Sequence, residues 1–237
     1  PEMRGHGLSK RNHDYARNRV ADYARYDLPA IGAFVREQSA QVPHWIGHSL
    51  GGTTLAAALG GKHLGAPAVA SVALFGCQVS RTHWPLKIPL VEWTGRLLLK
   101  RLGQVSGARF KRGPEDEPAG VMIEAMRWNG LFGRFGEGKQ DWWKGLAEVD
   151  LPLLAVSAAG DQQDPDWACR KLFEQIGSEH RQYLCLGRQQ GFTDDFGHVE
   201  MLVSKAAQAE VWPLVARWLK DSLTPLQGAP AEGAATV

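Results

Sequence analysis

Cysteine is scarce in this sequence. The three present, Cys77, Cys169 and Cys185, are widely spaced, odd in number and form no C-x-x-C pair. That pattern argues against a disulfide frame and a zinc site, and reads as buried thiols in a reducing, cytoplasmic compartment. An excess of one charge is also lacking. Lys+Arg 27 against Asp+Glu 25 leaves a net charge of +2, far too balanced to imply nucleic acid as a partner. The longest apolar run, Ala66 to Cys77, is too short to span a bilayer and has the length of a core strand. No signal peptide is visible in a chain that opens on Pro1.

What is there is ordinary for a globular protein: 237 residues, 44% hydrophobic and 22% charged, enough for one α/β domain with an inserted subdomain. Residues 18–40 carry Val20, Tyr23, Ala24, Ala30, Ile31, Phe34 and Val35 at helical spacing, which predicts one amphipathic helix bent near Pro29. PHWIGH (43–48) reads as a short strand, and SLGGTTLAAALGG (49–61) as an Ala-rich helix ending on paired glycines. PAVASVALFG (67–76) and LPLLAVSAAG (151–160) are near-continuous apolar runs, the mark of strands covered on both faces, and RQYLCLG (181–187) is a weaker one. Helices are expected over roughly 166–177 and 199–222. Strands alternating with helices predict a mostly parallel, doubly wound α/β sheet. The Ala/Gly/Pro-rich residues 223–237 read as a frayed, disordered tail.

Residues 78–150 break the alternation. They contain no good strand yet hold Trp84, Trp93, Trp128, Trp142 and Trp143, five of the nine tryptophans. A helical insertion of this length between core strands reads as a cap over one end of the sheet. Within it, IPLVEWTGRLLLKRLG (88–103) is amphipathic and cationic; the expectation is a helix packed on the core, the alternative a helix lying on a lipid surface.

The chemistry concentrates at GHSLGG (47–52). A strand, then G-x-S-x-G, then a helix is the pattern of a nucleophile elbow, which lifts a serine above the C-terminal edge of a sheet. Gly47 and Gly51 are expected to be needed because β-carbons there would clash across the turn. The helix that starts after Ser49 directs free N–H groups to the same place, so the Leu50 amide is a candidate oxyanion donor.

A serine hydroxyl needs a base within reach. Of eight histidines, His44 lies inside a strand, His63 follows the elbow helix, His180 sits at the opposite edge, and His48 is expected to point away from the cleft. His198, in DDFGHVEML (194–202), lies in the loop after the last strand and is the candidate base. Asp161 directly ends a strand at the working edge and is the favoured carboxylate to hold that base, with Asp164 the near competitor. Asp194 and Asp195 read as loop or helix-start carboxylates.

Together these motifs resemble the α/β-hydrolase family, over nearly the whole chain. RGHGLS (4–9) resembles the family's loop after its fourth strand. GHSLGG is similar to its elbow, AAGDQQDP (158–165) to its acid loop and FGHVEML (196–202) to its histidine loop. The resemblance implies Ser49 as nucleophile, Asp161 as acid, His198 as base, Leu50 as one oxyanion donor and residues 78–150 as the family's variable cap. It divides the chain into core 1–77 with the elbow, cap 78–150, core 151–222 with the acid and histidine loops, and tail 223–237. It departs from the family at the front, where the strands before RGHGLS and the loop carrying the second oxyanion donor have no counterpart. The fold expected is therefore an α/β-hydrolase sheet lacking its N-terminal strands.

The function expected is hydrolysis of a carboxylic ester with a hydrophobic, small-molecule acyl substrate, through an acyl-serine, with no metal or organic cofactor implied. An acyltransferase on the same three residues, or a truncated relic or binding module without catalysis, are the alternatives.

Overall fold

The computed structural model describes residues 2–9, 12–80, 84–109 and 115–226. Four parallel strands form the central sheet in the order β1 (His44–His48), β2 (Ser71–Phe75), β3 (Leu153–Ala158) and β4 (Arg181–Leu186). Registers such as Gly47↔Leu74, Leu74↔Ala155 and Ala155↔Tyr183 align the C-terminal ends of the strands along one edge.

The apolar runs alternate between two separate cores, as a strand's period of two requires. Val72, Leu74, Leu153, Ala155 and Tyr183 pack on one face, together with Leu55 to Leu59 of α2 (Leu50–Gly60) and Cys169, Leu172 and Phe173 of α6 (Asp166–Phe173). Ala73, Phe75, Leu154, Val156, Leu184 and Leu186 pack on the other. There they meet Met201 of α7 (Glu200–Val203) and Val211, Val215 and Trp218 of α8 (Lys205–Lys220). Helices thus cover both faces of a parallel sheet. β1 is an edge strand among the described residues, and Ile46 on it stands 53% exposed.

Local chemistry explains where the elements depart from expectation. The first helix is continuous but not uniform: Val20–Asp22 is α-helical, Tyr23–Asp27 is a π turn, and α1 (Leu28–Ser39) follows with Pro29 in its first turn. Pro29 has no N–H, and the Leu28 amide bonds to Tyr23 O across the widened turn. The last helix is two pieces, because Ser204 takes extended geometry and its side chain caps α8 by accepting from the Ala207 amide. Residues 223–226 are not frayed: Leu226 is buried, its N–H donates to Gln182 Oε1 at 2.8 Å, and Thr224 O accepts from Gln182 Nε2. The rest of the expected tail, 227–237, lies outside the described residues.

Between β2 and β3 the chain is mainly helical: α3 (Pro89–Leu102), α4 (Ala119–Asn129) and α5 (Trp142–Ala147), with two ladders of two-residue strands. Trp128, Phe135 and Trp142 stack edge to face with centroids 4.9–5.7 Å apart. Trp142 is fully buried, and Gly60 of α2 lies against its backbone. The expectation that 88–103 packs its apolar side on the core is not met. Not one residue of α3 is buried. Of the described residues, no helix is long and apolar enough to cross a membrane.

Candidate active site

Three loops leave the C-terminal edge of the sheet and converge. After β1 the chain turns at Ser49, which adopts φ 53° and ψ −121°, a conformation a non-glycine residue rarely holds. Tertiary bonds hold the turn: the Ser49 amide donates to Phe75 O at 2.9 Å and its carbonyl accepts from the Thr53 amide. α2 begins at Leu50, so the Leu50 N–H belongs to a helical first turn with no acceptor inside the helix.

The close approach that the elbow needs is between Gly47 and Gly52. A Cβ on Gly47 would lie 2.7 Å from Gly52 Cα, and one on Gly52 would lie 2.7 Å from Cys77 Cβ. At Gly51 a Cβ would meet nothing within 4 Å. The clash expected at Gly51 is therefore absent; the turn brings the helix start back over Gly47 one residue later.

After β3, Asp161 is buried to 3% exposure. Its Oδ1 accepts from the amides of Gln163 at 2.8 Å and Asp164 at 2.9 Å, which fixes the carboxylate. Its Oδ2 lies 2.7 Å from His198 Nδ1. A carboxylate only accepts, so Nδ1 carries the proton and the Nε2 lone pair is left free. Asp164 lies on that other side, with Oδ2 4.0 Å from His198 Nε2 and Oδ1 accepting from Gln78 Nε2 at 3.1 Å. Burial favours the neutral ring of His198. The hydrogen bond and charge of Asp161, joined by the charges of Asp164 and Glu200, outweigh it and hold the His198 pKa above the ordinary 6.5.

His48 does not point away from the cleft. Its ring packs against that of His198 at 4.5 Å between centroids, and its Nε2 sits 2.9 Å from His198 O. Burial, then the charge of His198, lower its pKa. Gly76, at φ +47°, abuts the Asp161–His198 pair: a Cβ there would be 3.2 Å from Asp161 Oδ2 and 3.3 Å from His198 Nδ1. Ser49 is thus bracketed, through His48 and through Phe75–Gly76, by groups that touch His198. Among the described residues the hydrogen-bond chain runs from Asp161 to His198 and does not extend to Ser49 Oγ.

Ser49 opens into a cavity of about 260 Å³ lined by Val20, Leu50, Val79, Val121, Trp128 and Asp164, among others. RGHGLS sits beside it, pinned where Arg4 Nε donates to Asp27 Oδ1 at 2.8 Å. A neighbouring cavity of about 270 Å³ joins His6 and Gly7 to Leu50 and Gly51. The Gly7 amide itself is taken by Glu115, at 3.1 Å. The other carboxylates behave as loop groups: Asp195 Oδ1 accepts from the Arg188 amide and Asp194 pairs with the Arg188 side chain. His44 bonds to Ser71 Oγ at the opposite edge.

A hydroxyl on a strained turn, an imidazole held by a fixed carboxylate and an unpaired helix-start amide form a set suited to nucleophilic acyl chemistry. Residues 1–228 match the model of the alpha/beta hydrolase family. The chain belongs to the alpha/beta hydrolase family. Its fold is shared by solved structures of low sequence identity. The monoacylglycerol lipase of Paleococcus ferrophilus is 16% identical with a TM-score of 0.59, over 93% of this hydrolase and 82% of the lipase. The meta-cleavage product hydrolase of Pseudomonas fluorescens IP01 is 17% identical with a TM-score of 0.58, over 94% and 79%. A thermophilic esterase of Thermogutta terrifontis is 16% identical with a TM-score of 0.56, over 94% and 79%. No curated protein matches the chain.

Several residues at the site escaped the sequence reading. Gln78 and Asn129 line the cavity from loop and helix positions with no motif. Gly76 carried a signal, a glycine directly after a buried strand at the working edge.

Proposed function

We propose that this alpha/beta hydrolase cleaves a carboxylic ester through an acyl-serine at Ser49. The observation that carries the reading is the 2.7 Å Asp161–His198 contact beside the strained Ser49 turn. In the first step Ser49 Oγ attacks the ester carbonyl carbon while His198 Nε2 takes the hydroxyl proton. Asp161 keeps the proton of Nδ1 and stabilises the imidazolium. The Leu50 amide donates to the oxyanion. Collapse of the tetrahedral intermediate expels the alkoxide, which leaves as the alcohol with the proton from His198. Water then adds to the acyl-serine, giving its proton to His198, and the second collapse returns that proton to Ser49 Oγ and releases the acid.

The cavity at Ser49 has apolar walls from Val20, Val79, Val121 and Trp128 and polar ones from Thr53, Gln78, Asn129 and Gln163, which suits a small acyl or alcohol group that carries both kinds of surface. Residues 78–150 act in this reading as the cap, with α4 forming one wall. The cysteines of the described chain are free, which supports a reducing, cytoplasmic setting.

A fluorophosphonate probe with peptide mass spectrometry tests the assignment: Ser49 is expected to carry the label, and an unlabelled Ser49 would leave a binding module. Turnover of p-nitrophenyl esters with excess alcohol separates hydrolysis from acyl transfer. Free acid is the product expected; ester of the added alcohol would make the chain an acyltransferase.

A further inference from the structure

The helix α3 is turned the wrong way round for a helix of a soluble domain. Its ion pair, Glu92 with Arg96 at 3.0 Å, lies partly buried, while Leu90 stands 68% exposed and Trp93, Leu98 and Leu102 are each more than half exposed. It meets the body along α4, where Gly95 lies against Met126, and Glu92 reaches Gly130 in the loop after α4. The apolar surface continues beyond the helix. Trp84 precedes it at 72% exposure, and Phe132 is 90% exposed in the loop that Lys87 ties to this region by donating to Gly130 O at 2.9 Å.

Cations border this surface. Lys100 and Arg101 are exposed in the last turn of α3, and neither forms an ion pair with a described residue. A cavity of about 610 Å³ runs along the same helix, lined by Lys100 and by Arg17, Arg19, Arg96 and Arg127. Each of these arginines is in an ion pair with a nearby acid, which leaves Lys100 as the unpaired cation there among the described residues.

We propose that α3 docks this protein on an anionic phospholipid bilayer, with its leucines, Trp93 and the preceding Trp84 at the acyl boundary and its cations on lipid phosphates. Charge complementarity decides between occupants. Lys100 and Arg101 have no ion-pair partner among the described residues, and lipid phosphates would supply several for the pair, whereas the one acid of α3 is Glu92, already paired with Arg96. Tryptophan and leucine on one side of a helix with lysine and arginine at its margin is the composition of an interfacial helix. The proposal does not rest on the ester-hydrolase reading, because vesicle binding requires no chemistry at Ser49.

Co-sedimentation with phosphatidylcholine vesicles, with and without roughly 30% phosphatidylglycerol, tests it at low salt. At least tenfold stronger binding to the anionic vesicles is expected, with a blue shift of tryptophan emission. Two variants, Leu90→Glu with Leu98→Glu, and Lys100→Glu with Arg101→Glu, should each lose at least tenfold in binding at unchanged melting temperature. Equal binding to both vesicle types would overturn the proposal. So would vesicle binding that survives the leucine substitutions yet is displaced by millimolar inorganic phosphate, which would leave the cavity as an anion site only. A dimer in sedimentation velocity that Leu90→Glu with Leu98→Glu dissociates, without vesicle binding, would assign the face to a second copy.

Discussion

His48 and His198 lie ring against ring at 4.5 Å, and the side chain of one bonds the backbone carbonyl of the other. A carbonyl only accepts, so His48 must present its Nε2 proton. Burial and the charge of His198 keep it neutral in that role. His48 ties the histidine loop to the residue before Ser49, and in the proposed mechanism this makes it a positioning residue. His48→Ala is expected to lower kcat by about tenfold to 10²-fold, with KM within about threefold, because a base displaced by about 1 Å loses this much. His48→Gln, which keeps a donor near the same place, should recover part of it. An unchanged kcat in His48→Ala would leave the contact as packing.

Ser49→Ala should abolish probe labelling and lower ester turnover by roughly 10⁶. Ser49→Gly adds a second readout. Glycine holds a positive φ without strain, so this variant should be more stable than Ser49→Ala by about 1 kcal/mol in urea melts. Residual turnover within tenfold of the parent in either variant would remove Ser49 from the mechanism.

The acid limb of the pH profile distinguishes the two aspartates. In the proposed mechanism His198 works as a base only when neutral, and its pKa is held above 6.5. Turnover per KM should therefore rise with pH through an apparent pKa above that value. Asp161→Asn removes the bond that fixes Nδ1–H and should cost about 10⁴ in kcat. Asp164→Asn removes a charge 4.0 Å from Nε2 and keeps an amide oxygen that can still accept from Gln78, so it should move the limb to lower pH and change turnover above the limb by less than about threefold. If Asp164→Asn proves the more damaging, the acid is Asp164.

Much of this architecture is legible in the residues. The buried runs ending at Phe75 and Ala158 announce strands covered on both faces, and GHSLGG between a strand and an Ala-rich helix announces the turn. Contacts between segments distant in sequence are not legible. His48 meets His198 across 150 positions, so strand alternation alone could not say which ring it touches. Gly51 fits the motif, yet the clash falls at Gly52, because the direction of the helix after the turn decides which Cα comes back over Gly47. In α3 the spacing shows an amphipathic helix but not which side faces outward. That depends on α4, where Met126 packs so close to Gly95 that a Cβ there would lie 2.6 Å from its Cε.

Glu124 provides the last prediction. It is 2% exposed, its Oε2 accepts from the Ala21 amide at 3.2 Å, and its Oε1 has no hydrogen-bond partner among the described residues. Burial, only partly offset by that amide and by Arg19 and Arg127, pushes its pKa from 4.5 to about 7. The fold therefore prefers the protonated acid. Below 4.5 folded and unfolded chains are both protonated and the contribution to stability is whole; as pH rises the unfolded chain ionises first, and the contribution is lost until the pH passes about 7. The full loss is at most about 3.5 kcal/mol, at about 1.4 kcal/mol for each tenfold difference in proton affinity. A side-chain amide does not ionise in this range, so Glu124→Gln should gain stability over the parent as pH rises across that window. Urea melts of both proteins at pH ~5 and pH ~8 measure it. An advantage of Glu124→Gln that is the same at both pH values would show that the carboxyl ionises as freely in the fold as in the open chain.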